Sequence, residues 1–182
     1  MRSPRFAIYA ALAALLTFCA SDLTRAAPAD DFQALLTEAW EWQLEDNPVF
    51  ASRLGDRRYN DQWQDLSVAA FEARDTQRRD FLRRLRLIDS GVLSEPERLN
   101  YDLFIRQLED DVEGYRFNAH LMPLSHRGGV QSLDGTAEGL RLQSVDDYED
   151  WLSRMTEIER VIKQTRELTE AGRRRGYMPP KI

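Results

Sequence analysis

"SEPERLNYDLFIRQLEDDVEGY", residues 94–115, decides the fold class. Ser94 and Glu97 have the spacing of a capping box, with each side chain able to bond the other's backbone N–H. Pro96 falls in the first turn, where a missing N–H removes no helical bond. Beyond the cap, Tyr101, Phe104, Ile105, Leu108, Val112 and Tyr115 recur three and four residues apart. That period puts all six on one helical face. Such a face needs a cover, and the neighbouring segments have the same pattern.

Upstream, "DDFQALLTEAWEWQLEDNP" places Phe32, Leu35, Leu36, Ala39, Trp40 and Gln43 on a stripe, with Asp30 or Asp31 as the expected N-cap. Asn47-Pro48 stops or kinks it. A short helical turn, "PVFASRLG", and an irregular piece, "DRRYNDQWQDL", follow. Ser67 caps the next helix, whose stripe is Val68, Phe71, Arg78, Phe81, Leu82, Leu85 and Ile88, with Gly91 as the expected stop. Downstream, residues 120–142 hold no sustained period and include Gly128, Gly129, Gly135 and Gly139. A connection this long inside a helical body is unusual and often functional. Ser144 with Asp147 then restarts one long helix, with Tyr148, Trp151, Leu152, Met155, Ile158, Ile162 and Thr165 as its expected buried stripe. The expectation is an all-α, antiparallel arrangement of about four main helices, with one long irregular loop between the third and fourth.

Composition agrees with a folded helical body. The 182 residues are 42% hydrophobic and 31% charged, with a formal net charge of −6. An acidic chain without a Lys/Arg run repels a phosphate backbone, which argues against nucleic acid and anionic membranes as partners. At the front, Arg2 and Arg5 precede the apolar run "FAIYAALAALLTFCA", residues 6–20, and small residues follow. This is the pattern of a secretory signal. It is shorter than the about 20 residues of a membrane span. The expected division is a signal peptide over 1–26 and a helical domain over 27–182. The expected location is periplasmic or secreted, with no stable membrane span after cleavage. Cys19, the single cysteine, either leaves with the signal or, as an alternative, carries a lipid. The remaining body has no thiol for a disulfide or a nucleophile.

The candidate site is the loop "HLMPLSHRGGVQS", residues 120–132, which holds both histidines of the chain. His120 and His126 offer two metal ligands, and a carboxylate such as Asp134 a third, but nothing in the spacing requires a site. Arg127 can pair with a carboxylate, and Gly128-Gly129 lets the backbone approach a ligand closely. A plain turn with an exposed arginine is the competing reading. The acidic run "EDDVE", residues 109–113, reads as a solvated helix face rather than a glycosidase pair, which needs carboxylates across a cleft. Trp40 and Trp151 lie on apolar stripes and read as core, and Trp42 reads as partly exposed. No HExxH and no Gly-x-Ser-x-Gly occurs. These residues do not complete an active site.

The string "SEPERLNYDLFIRQLEDDVEGYRFNAHLMPLSHRGGVQS", residues 94–132, resembles the N-terminal region of the DUF885 family of bacterial secreted proteins. "NPVFASRLGDRRYND" (47–61), "SVDDYEDWLSRM" (144–155) and "GRRRGYMPPKI" (172–182) support the resemblance. It implies a largely helical fold, a secreted location, and relatives that are much longer and zinc metallopeptidase-like, with HExxH far downstream. No residue here matches those zinc ligands, so the resemblance assigns this chain no catalytic residue, no metal ligand and no cofactor of its own. It implies that His120, His126, Arg127, Gly128 and Gly129 form a substrate-facing loop for a peptide-like ligand, and that the chain is the N-terminal part of such a hydrolase, its partner being the C-terminal part. That reading predicts an exposed apolar face. The alternative, a stand-alone helical binding module, predicts a polar surface and an ordered pocket in the loop. A third reading, an autonomous metal hydrolase, needs His120 and His126 to converge on a carboxylate.

Overall fold

A computed structural model describes residues 28–126 and 128–178. The signal segment with Cys19, Arg127 and Pro179-Pro180 lie outside the described residues. Helix α1 spans Pro28–Asp46, with Asp30 and Asp31 in its first turn rather than before it. Helix α2, Pro48–Leu54, starts where Asn47 Oδ1 accepts the Phe50 N–H at 3.1 Å. It ends at Gly55, whose φ of 92° is the left-handed conformation that glycine adopts without strain. Helix α3, Val68–Leu85, is capped by Ser67 Oγ, which accepts the Ala70 N–H at 3.1 Å. It stops short of Gly91, which lies in the 3₁₀ turn Ser90–Val92. Helix α4, Glu95–Tyr115, opens on the expected capping box, in which the Ser94 N–H donates to Glu97 Oε2 at 2.9 Å.

These helices build the main core. Phe32, Leu35 and Ala39 of α1 meet Phe81, Leu82 and Leu85 of α3 and Tyr101 and Leu108 of α4. The short link from α3 to α4 joins one end of the pair, and Phe71 and Tyr115 flank His120 at the other, so α3 and α4 form an antiparallel hairpin. The α4 stripe read from the sequence is buried or half-buried throughout. Of the two neighbouring tryptophans of α1, Trp40 leaves its expected core role, and Trp42 is half-buried. Trp40 is exposed and touches Phe50 edge-on, whereas Trp42 turns inward against Phe81 with ring centroids 5.6 Å apart.

The C-terminal half departs from the single long helix. After the short α5, Gly135–Glu138, it forms α6, Val145–Thr156, and α7, Ile158–Arg174. The break at Glu157 has a tertiary cause. The Arg154 carbonyl accepts the Trp63 indole N–H at 2.6 Å and the Glu157 N–H at 3.2 Å, a tightened closing turn that ends α6.

The expected buried stripe is also wrong for α6. Tyr148 is 55% exposed and Leu152 59%, and Met155 is exposed as well, as is Ile162 in α7. The residues that α6 buries are Asp147 and Arg154. Periodicity shows that a helix has an apolar face; it does not say which face the neighbours hold. Here hydrogen bonds to Arg154 and Asp147 hold the charged side inward, described below. Helix α7 packs conventionally, with Leu168 and Ala171 closing over Leu121 in a second small core. Among the described residues no helix is long and apolar enough to cross a membrane.

Gly172 sits inside α7 where that second core closes. A Cβ built there would lie 2.3 Å from the Leu121 carbonyl oxygen, a backbone atom. Alanine is favoured over glycine within a helix by about 1 kcal/mol, but overpacking of this kind destabilises by about 1–3 kcal/mol. Gly172→Ala is therefore expected to lower the urea unfolding midpoint. A raised midpoint would show that the Leu121 contact is not close-packed.

Candidate functional site

The loop after α4 is built from short, self-bonded pieces. Asn118 takes a left-handed conformation, and the 3₁₀ turn Ala119–Leu121 drops Leu121 into the core beside α7. This turn places His120 between two aromatic rings. Its ring stacks on Tyr115 with centroids 5.0 Å apart and planes 5° apart, and on Phe71 at 4.8 Å and 21°. Burial holds the His120 imidazole below its ordinary range, and the charge of Arg175 adds to the effect, against an opposing pull from Glu72. His126 lies at the exposed tip of the loop.

The tip is a closed miniature turn. The Ser125 N–H donates to the Gly128 carbonyl at 2.9 Å, and Gln131 Nε2 donates to the Ser125 carbonyl at 2.7 Å. Gly129, with φ 141°, passes so close to Pro123 and Leu124 that a Cβ would lie 2.9 Å from Leu124 Cδ2. The freedom of Gly129 thus serves to close the loop on itself. Arg127 lies outside the described residues, so its position is not part of this geometry. Met122 and Leu124 are exposed on the loop's outer side.

The loop's histidines therefore do not build a metal centre. His120 is held in a ring stack and His126 stands in solvent. Among the described residues no group of three His, Cys, Asp or Glu side chains can hold a metal ion. Asp134 is exposed. The acidic run of α4 is a solvated face: Glu109 pairs with Arg86, Asp111 with Arg78 and Glu113 with Arg116.

A second locus has more unusual chemistry. Arg154 has no solvent exposure. Its Nη2 donates to Ser52 Oγ at 2.9 Å and to the Tyr59 carbonyl at 2.7 Å, and its guanidinium carbon lies 5.6 Å from the centre of the Trp63 ring. Burial pushes this arginine down to about 10, against the opposing pull of Asp61 and Asp150. Two turns away on the same face, Asp147 Oδ2 accepts the N–H groups of Gln143 (2.9 Å) and Ser144 (2.8 Å), and Oδ1 pairs with Arg57 at 2.5 Å. The Gln143 amide, then the Ser144 hydroxyl, hold its carboxyl below the usual carboxylate range. Between α2, the segment 140–143 and α6 lies a cleft of about 180 Å³ whose walls include Ser52, Arg57, Asn60, Arg141, Asp147 and Trp151.

This locus lies outside the candidate loop, although the sequence carries a signal for it. Asp147, Trp151, Arg154 and Ile158 are spaced four, three and four apart, which is a helical period interrupted by charge. The competing apolar stripe on the adjacent face was the stronger pattern.

The profile of a family described as "Bacterial protein of unknown function (DUF885)" matches residues 48–182. The match covers both the loop and the Arg154 cleft. A comparison with curated proteins gives no match.

The His120 stack has a measurable consequence. The folded value is depressed below 6.5, so the folded state binds its proton less readily than the unfolded chain. Its contribution to stability is present above pH 6.5 and is lost as pH falls through the lowered folded value. NMR titration is expected to place the His120 midpoint below 6.5. His120→Phe, which preserves the stack, is expected to flatten the loss of stability over that window. A His120 midpoint at or above 6.5 would contradict the buried placement.

Proposed function

This chain belongs to the DUF885 family, and from that premise we propose that it forms the N-terminal helical part of a secreted, peptide-bond hydrolase of metallopeptidase type, without catalytic power of its own. The observation that carries this reading is the outward apolar face of α6. Val145, Tyr148, Leu152 and Met155 share one side of that helix and are all exposed, while the charged residues Asp147 and Arg154 face inward. A contiguous exposed apolar face is the mark of a contact surface. Its occupant, in this reading, is the remaining part of the same family domain.

Zinc does not fit the residues present. The chain contains no HExxH, and its two histidines are separated by environment as well as by sequence. No catalytic step is derived through a metal on this chain. Its contribution is architectural. The loop around His120, pinned by Leu121 under α7, would form one wall of the substrate channel, with His126, Gly128 and Gly129 at its rim. The leader-like residues 1–26 support a periplasmic or secreted setting. The cleft beside Arg154 favours a second reading, a helical binding module, because it offers a polar recess within this chain alone.

Two measurements test these readings, and the second separates them. The purified chain, dialysed against zinc, is expected to retain no stoichiometric metal and to leave a mixed-peptide substrate intact. One zinc per chain with peptide cleavage would overturn the architectural role. The DNA following the Ile182 codon is expected to encode HExxH, in frame or shifted. Its absence would overturn the hydrolase reading and leave the binding module.

A further inference from the structure

We infer that the cleft between α2, residues 140–143 and α6 is a binding site for a small organic carboxylate, held by Arg141 at its mouth and by the field of the buried Arg154 behind Ser52. The inference does not rest on the hydrolase reading, because every residue it uses lies in this chain.

The first observation is a buried cation with no carboxylate bonded to it, Asp61 and Asp150 acting on it only through their field. Arg154 is fully enclosed, yet its bonded partners are a hydroxyl and a carbonyl, both neutral. Nε and Nη1 find no acceptor among the described residues. Buried guanidinium groups are normally paired with a carboxylate, since desolvation of a lone charge is expensive. Ser52, which accepts the Nη2 bond, is itself a wall of the cleft. Its hydroxyl also lies 2.7 Å from Asn60 Oδ1, another lining atom. The buried charge and the cleft are thus joined through one side chain.

The second observation is the charge of the lining. Arg57 and Arg141 both border the cleft, and Asp147 is the only acid among its lining residues. That acid is already engaged. Oδ2 takes two backbone N–H groups and the Ser144 hydroxyl, and Oδ1 takes Arg57. Nothing is left to neutralise Arg141, which has no bonded partner among the described residues. In a chain of net charge −6 this is a local excess of positive charge.

The ligand class follows from these groups. A guanidinium presents a planar fork that matches a carboxylate with two parallel bonds. Trp151, packed edge-on against Trp63 at 6.3 Å, provides a flat apolar wall for a short carbon body. A volume of about 180 Å³ is below the range of drug-sized pockets and suits a small acid.

The test is calorimetric titration of the full chain with succinate and, separately, inorganic phosphate at matched ionic strength. Saturable binding of one succinate per chain is expected, tighter than phosphate. Arg141→Gln is an exposed change that leaves the fold intact, and it is expected to weaken succinate by about tenfold or more. Arg141→Lys, which keeps the charge and loses the fork, is expected to fall between. Arg154→Met is expected to abolish binding where circular dichroism shows it folded; if it does not fold, the Arg141 pair decides alone. Absence of saturable succinate binding, or an unchanged affinity in Arg141→Gln, would overturn the site. Tighter binding of phosphate would overturn the carboxylate assignment.

Discussion

Arg154 is the constraint around which the C-terminal half of this protein is arranged. Its side chain is sealed from solvent and bonds to Ser52 on α2 and to the Tyr59 carbonyl, while its own carbonyl takes the Trp63 indole. One residue therefore ties α6 to α2 and to the irregular stretch between α2 and α3. Those bonds are individually modest, but together they enclose a charge that would be strongly unfavourable without them. The same carbonyl bond ends α6 and lets α7 leave at its own angle. From there α7 can close over Leu121 and fix the base of the 120–142 loop.

The orientation of α6 has a direct consequence for surface chemistry. With Asp147 and Arg154 held inward, Val145, Tyr148, Leu152 and Met155 have to face out. An isolated globular domain ordinarily buries such a stripe, since apolar burial is worth about 25 cal/mol per Å². The outward stripe and the inward charges are two views of one choice made by the fold. The family relationship, which spans residues 48–182, includes every residue of that choice. The stripe is a surface fit for contact, and the charges line the cleft behind it.

Much of the local structure was legible in the sequence because its causes are local. The caps at Ser67, Ser94 and Ser144 and the stop at Asn47-Pro48 depend on residues a few positions apart, and all stand where the spacing puts them. The α4 stripe was legible because its cover, α3, is its chain neighbour. The orientation of α6 was not, because Ser52 and Tyr59, which decide it, lie 102 and 95 residues away. Trp40 left its expected core role for a related reason. Trp40 and Trp42 can both serve a stripe, and contact with Phe81 selects between them. Of the candidate loop, its length and glycine content could be read in advance. The ring stack on His120 and the close passage of Gly129 could not, since each requires a partner placed by the tertiary fold.

The outward face of α6 is the central claim, and hydroxyl-radical footprinting tests it on the unaltered chain. At a dilution where sedimentation shows a monomer, Tyr148, Leu152 and Met155 are expected to be modified at the rates of exposed side chains, with Phe81 and Trp63 protected. Protection of Tyr148, Leu152 and Met155 in that monomer would contradict the account, since α6 would then bury the face that the Arg154 bonds turn outward.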